Sequence, residues 1–102
     1  MTTPPNLRDL LHDATVGVIS IEWPTATVTI HLRLSNDATS SAKLVASAFS
    51  ILEAPRKQPW GPSCSVNEAS IARTTTGEQR LELQLQSGDT MLIEARSIEF
   101  IE

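Results

Sequence analysis

Along most of the chain, apolar and polar residues alternate with a period of two. This is the pattern of half-buried β-strands. VGVISIEW (16–23) and TVTIHLRL (27–34) are both rich in β-branched residues. In the second, Val28, Ile30, Leu32 and Leu34 share one face, and Thr29, His31 and Arg33 share the other. Between the two lies PTAT. A two-residue hairpin loop needs positive φ at its first position, which proline cannot adopt. A four-residue loop from Pro24 to Thr27 lets Pro24 start a type I turn. That register sets Trp23 opposite Val28, Ile21 opposite Ile30 and Ile19 opposite Leu32, with His31 beside Ser20.

A second hairpin closes the chain. QRLELQLQ (79–86) places Leu81, Leu83 and Leu85 on one face. A three-residue loop wants glycine at its last, left-handed position. With Gly88 there, Leu83 faces Met91, Leu81 faces Ile93, and Arg80 meets Glu94 on the outer face. Beyond Ala95 the parity slips, from Met91, Ile93 and Ala95 to Ile98 and Phe100, so a bulge or bend is expected near Arg96-Ser97.

The remaining segments carry weaker signals. LRDLLH (7–12), after Pro4-Pro5 and with Asn6 as a candidate N-cap, forms one or two helical turns with Leu7, Leu10 and Leu11 on one side. SAKLVASAFSILEA (41–54) fits two patterns. Leu44, Val45, Ala48, Phe49 and Leu52 make a helical stripe. As a strand it needs a bulge near Ser47-Ala48, which would bring Leu44 and Ala46 onto one face with Phe49 and Ile51. VNEASIAR (66–73) reads as a short, less apolar strand. NDATSSA (36–42) and TTTGE (74–78) read as turns. The expected fold class is all-β: an antiparallel meander of about six strands, a curled sheet or half-barrel, with a short N-terminal helical turn. The chain's 102 residues make one domain, 1–102.

Composition narrows the functions. The net charge is −4, and it lies in the last third. Before residue 76, Arg8, Arg33, Lys43, Arg56, Lys57 and Arg73 balance Asp9, Asp13, Glu22, Asp37, Glu53 and Glu68. After it, Arg80 and Arg96 face Glu78, Glu82, Asp89, Glu94, Glu99 and Glu102. An acidic sheet edge repels phosphate, which argues against nucleic acid and anionic membranes as partners. Trp23, Trp60, Phe49 and Phe100 are the whole aromatic supply, too thin for base stacking. No apolar run approaches the ~20 residues that cross a bilayer. The opening MTTPPNLRDLLHDAT lacks a basic cluster ahead of an apolar block, so no secretory signal is expected. One cysteine makes no internal disulfide, consistent with a reducing, cytoplasmic setting.

Three segments, LHDAT (11–15), PWGPSCSVNE (59–68) and LQSGDTMLIEA (85–95), together resemble a family of small, uncharacterised bacterial all-β proteins with a central PWGPS-x-SVNE motif. The resemblance spans nearly the whole chain. It implies a sheet fold, places residues 43–54 in a strand, and implies no enzymatic activity. A looser similarity connects such proteins to immunity proteins of bacterial toxin systems, whose work is protein binding.

Candidate chemistry is sparse. A nucleophilic Cys64 would need a histidine, a cation or a helix N-terminus beside it, and His12 and His31 are remote in sequence. His12-Asp13, His31 and Glu68 lack the spacing of a metal motif, and no cofactor is expected. Asp13 suits bonding to turn amides. In PWGPSC, Pro59 and Pro62 stiffen the loop that presents Trp60, with Arg56 before it and Asn67 and Glu68 after it. Trp60 either plugs an end of the sheet, with Asn67 or Ser65 bonding loop amides, or projects as a partner-binding knob. The leading expectation is a non-enzymatic binding or accessory protein with a protein partner or self-association through an exposed edge strand or apolar face. The alternative is a small-ligand carrier or hydrolase. Its site would lie in the concave face of the sheet, where His12, Arg56, Trp60 and Glu68 converge.

Overall fold

The computed structural model describes residues 7–34, 41–57 and 65–101. Asn6 and the PWGPSC segment, with Trp60 and Cys64, lie outside them. One short helix, α1 (Leu7–Leu11), precedes six strands: β1 (Thr15–Glu22), β2 (Thr27–Arg33), β3 (Ser41–Glu53), β4 (Val66–Arg73), β5 (Gln79–Leu85) and β6 (Thr90–Ile101). All six form a single sheet in the order β1-β2-β3-β6-β5-β4, every neighbour antiparallel. The all-β expectation holds, and residues 41–53 are strand rather than helix.

The strand order refines the simple meander. Two three-stranded meanders, β1-β2-β3 and β4-β5-β6, join through β3 and β6. The reason lies in the two strands that meet. β3 and β6 are the longest, at 13 and 12 residues, and each changes parity midway. Ala42, Leu44 and Ala46 are buried, and then Phe49 and Leu52 pack on the core. In β6 the buried set runs Met91, Ile93, Ala95 and then Ile98, Phe100. The two switches face each other where Ser47 pairs with Ser97, next to Ala48 at φ 55°. A strand with such a slip packs well only on a partner that slips at the same place. The register shift between Phe49 and Ile51 turns Leu52 inward and leaves Ile51 38% exposed, which corrects its expected inward position. β4 carries the fewest large apolar residues and takes an end of the sheet. The acidic last third of the chain therefore forms the middle of the sheet (β5 and β6) rather than an edge.

The closing hairpin follows its turn chemistry. Leu83 pairs with Met91, Leu81 with Ile93 and Arg80 with Glu94. Gly88 sits at φ 102° and donates its N–H to the Leu85 carbonyl at 3.0 Å.

The first hairpin differs from expectation by two positions. Glu22 pairs with Thr27, Ile21 with Val28 and Ile19 with Ile30, and a bulge at Gly17-Val18 brings Val16 opposite Leu32. Pro24 does stand second in the turn, but such a turn needs a residue ahead of the proline. Trp23 supplies it, its carbonyl accepting the Ala26 N–H at 3.0 Å. The loop is thus Trp23–Ala26, and Ala26 closes it at φ 53°. Thr25 Oγ1 braces the turn by donating to Glu22 Oε1 at 2.8 Å. A shift of two keeps Ile19 and Ile21 on their expected face, the bulge turns Val16 onto the core, and Trp23 is released from the ladder. The shift also moves His31 from Ser20 to a place opposite the bulge, with Lys43 across from it on β3.

The sheet curls without closing. Thr15 and Ser65 form an isolated bridge between its two ends. Val66 donates to the Ala14 carbonyl at 2.7 Å, and Asp13 donates to the Val66 carbonyl at 2.8 Å. The concave side is filled by one apolar core that includes Val28, Ile30, Leu44, Leu81, Leu83 and Ile93. α1 packs beside β4 and inserts Leu7 and Leu11 into that core.

Candidate functional site

Two surfaces stand out, one polar and one apolar. The polar one lies where α1 meets β4. Asp9 and His12, at and just past the helix, and Asn67 and Glu68, at the start of β4, line an open depression of about 390 Å³. Helix α1 ends in a turn in which Ala14 N–H returns to the Leu11 carbonyl at 2.9 Å and Asp13 adopts φ 65°. His12 Nδ1 lies 3.2 Å from Asp13 Oδ2. Gln86, in the β5–β6 turn, donates to Asp13 Oδ1 at 2.8 Å. The Asp13 carboxylate thus ties the helix end to a distant hairpin. Asn67 Nδ2 donates across the ladder to Gln84 Oε1 at 3.2 Å, a contact within the β4–β5 pair.

Of the residues that sequence reasoning grouped, the fold therefore brings His12, Asn67 and Glu68 together, with Asp13 adjoining. Arg56 stands exposed on the segment after β3, away from the described lining of this depression. Trp60 lies outside the described residues. All four lining side chains are exposed, so water competes for every hydrogen bond a ligand could make there. Among the described residues no three His, Cys, Asp or Glu side chains gather to hold a metal ion.

The apolar surface is on β1. Trp23 is 78% exposed, Val18 58% and Ile21 52%, the three most exposed large apolar side chains among the described residues. They follow one another along a single end strand and its turn. Trp23 meets Phe49 edge to face, with centroids 6.1 Å apart and rings at 74°. Phe49 is held there by its N–H, which donates to the Ala26 carbonyl at 3.0 Å. Past the Thr15–Ser65 bridge, no described strand lies on the outer side of β1.

Sequence reasoning missed this surface because it paired Trp23 inside the hairpin. A signal was present. VGVISI contains no lysine, arginine, proline or acid, residues that often blunt an end strand.

The two ends of the sheet are unlike. β4 carries Asn67, Glu68 and Arg73 and has α1 packed beside it. β1 carries one charge, Glu22, at its last position. No family model, curated protein or solved structure matches the chain.

Proposed function

We propose that this protein works by binding another polypeptide, as a non-enzymatic accessory or immunity-like protein, and that β1 with its turn is the contact surface. The observation that carries this reading is the run Val18, Ile21, Trp23 standing in solvent on an end strand. An end strand offers backbone donors and acceptors to an incoming chain, and apolar side chains beside it add affinity. The polar depression supports a carrier or hydrolase less well, because its side chains are exposed and the concave face is packed solid with apolar residues.

A photoreactive side chain installed in place of Val18, with one in place of Arg73 as the control, tests the reading in cells of the native host. The expected result is covalent protein adducts from position 18 and few from position 73. If position 18 yields no adduct above the position 73 background, the reading is wrong.

A further inference from the structure

We infer that the polypeptide taken up by β1 is a second copy of the same chain, paired antiparallel about a two-fold axis at Ser20. This rests on the assignment of β1 as the contact strand and goes beyond it by naming the occupant.

The argument begins with charge. An isologous contact sets residue i against j and j against i, so every charge on the strand enters the contact twice and a like charge at its partner position repels. β1 has a single charge, Glu22, at one end. With the axis at Ser20, Glu22 of one copy lies opposite Val18 of the other. The two carboxylates are then four residues apart along the strands, roughly 13 Å. That exceeds the ~8 Å screening length at physiological salt.

The side-chain faces agree with the same register. Ile19 and Ile21 share the core face, because their partners Ile30 and Val28 are both fully buried. Centring the axis on Ser20 sets Ile19 of each copy against Ile21 of the other, on that same face. It also covers Ile21, half-exposed in the single chain.

One position further, Trp23 falls level with Gly17 of the other copy. A Cβ built on Gly17 would meet nothing closer than the His31 carbonyl oxygen at 3.5 Å. Gly17 carries no side chain to obstruct the indole, as in the aromatic-on-glycine pairings that support strand edges. Ile21 and Trp23 thus gain partners in one register, Val18 lies beside the stem of Glu22, and no charge is brought against a like charge.

β4 offers no comparable match. It bears Glu68 within the strand and Arg73 at its end, and α1 packs beside it.

Sedimentation equilibrium over a range of concentrations tests the proposal, using the full chain and two variants at the axis. Ser20 is exposed, so the fold tolerates both changes, and circular dichroism verifies this. The native chain is expected to show a monomer–dimer equilibrium. Ser20→Lys sets two ammonium groups face to face and is expected to weaken association about 100-fold. Ser20→Cys, in a Cys64→Ser background, places two thiols directly opposite, where facing Cα atoms lie at about 4.5–5.5 Å, within disulfide reach. Mild oxidation is then expected to give a covalent dimer. A native chain that stays monomeric at all concentrations, or a dimer unaffected by Ser20→Lys, overturns the second-copy inference. The β1 contact reading fails separately, when photo-crosslinking at position 18 captures no protein. Adducts there with only other proteins would leave that reading standing and remove the second copy.

Discussion

Thr15 faces Ser65 across a bridge that joins the two ends of the sheet. Around it, Ala14 and Val66 exchange a backbone hydrogen bond of 2.7 Å, and α1 presses Leu11 into the core at full burial. Helix and bridge therefore hold the curl together as one unit. An isolated five-residue helix has no stability of its own, so its leucines must supply the anchoring.

Leu11→Ala is accordingly expected to cost about 2–5 kcal/mol, the usual range for emptying a fully buried leucine site. Urea denaturation measures the loss. Hydrogen exchange locates it: the Val66 amide, bonded to Ala14, should exchange faster under native conditions than the Leu83 amide in the middle of the sheet. Equal acceleration at both amides would show that the helix and bridge do not open as a local unit.

Asp89 is the polar counterpart of that anchor. It is 6% exposed and accepts hydrogen bonds from Lys57 N–H at 3.1 Å and Ser87 Oγ at 3.2 Å. It thereby fastens the segment after β3 to the β5–β6 turn. Asp89→Ala leaves two donors inadequately matched and should cost about 1–3 kcal/mol. Asp89→Asn retains one acceptor oxygen and should cost less. Thermal melts of the two variants, ranked in that order, check the assignment.

Gly88 and Gly17 should respond differently to an added methyl group. Gly88, at φ 102°, closes the β5–β6 loop in a conformation that a Cβ disfavours. Gly88→Ala should destabilise by about 1–3 kcal/mol. Gly17 lies in the β1 bulge, where an added Cβ meets the His31 carbonyl only at ordinary contact distance. Gly17→Ala should change stability by no more than about 0.5 kcal/mol, because reduced unfolded-state freedom offsets any crowding. Denaturant midpoints of the pair measure the contrast.

Local turn chemistry explains what could be read before the structure. Gly88 had one position it could occupy in a three-residue loop, and that fixed Leu83 opposite Met91 and Arg80 opposite Glu94. Pro24 was less decisive. It specified the second place of a turn but left open whether Trp23 belonged to the strand or the loop, and two registers shared the same faces. The docking of β6 against β3 is a long-range choice that no local residue announces. Its trace was the pair of parity slips, at Ser47-Ala48 and at Arg96-Ser97, each visible alone but not their opposition. For the site, His12, Asn67 and Glu68 were named in advance and do converge, whereas Trp23 was overlooked because its exposure depends on the register of the hairpin.

Arg80 tests how far the outer face depends on charge. Its Nη1 lies 3.3 Å from Glu94 Oε2, and its Nε lies 3.2 Å from Glu82 Oε2. Glu94 is the more enclosed carboxylate, with 17% of its side chain exposed. Arg80→Met retains most of the aliphatic stem and removes the cation from between two acids. The expected loss is modest, about 0.5–1 kcal/mol, and it should shrink as salt rises. Melting curves of native and variant chains at low and high sodium chloride read both effects.

Trp23 separates binding from folding. Its indole is 78% exposed, and its one described ring contact is the edge-to-face meeting with Phe49. Such a contact contributes about 0.5–1.5 kcal/mol beyond burial, and here burial adds little. Trp23→Ala should therefore melt about 2–12 °C below the native chain, since ~1 kcal/mol shifts a domain of this size by roughly 4–8 °C. A residue kept for packing would behave like Leu11. A residue kept for contact with another chain loses little stability when truncated and much affinity. Sedimentation and melting performed on the same Trp23→Ala sample measure both quantities. A large drop in melting temperature with unchanged association would assign the indole to the fold and take the contact surface off the turn.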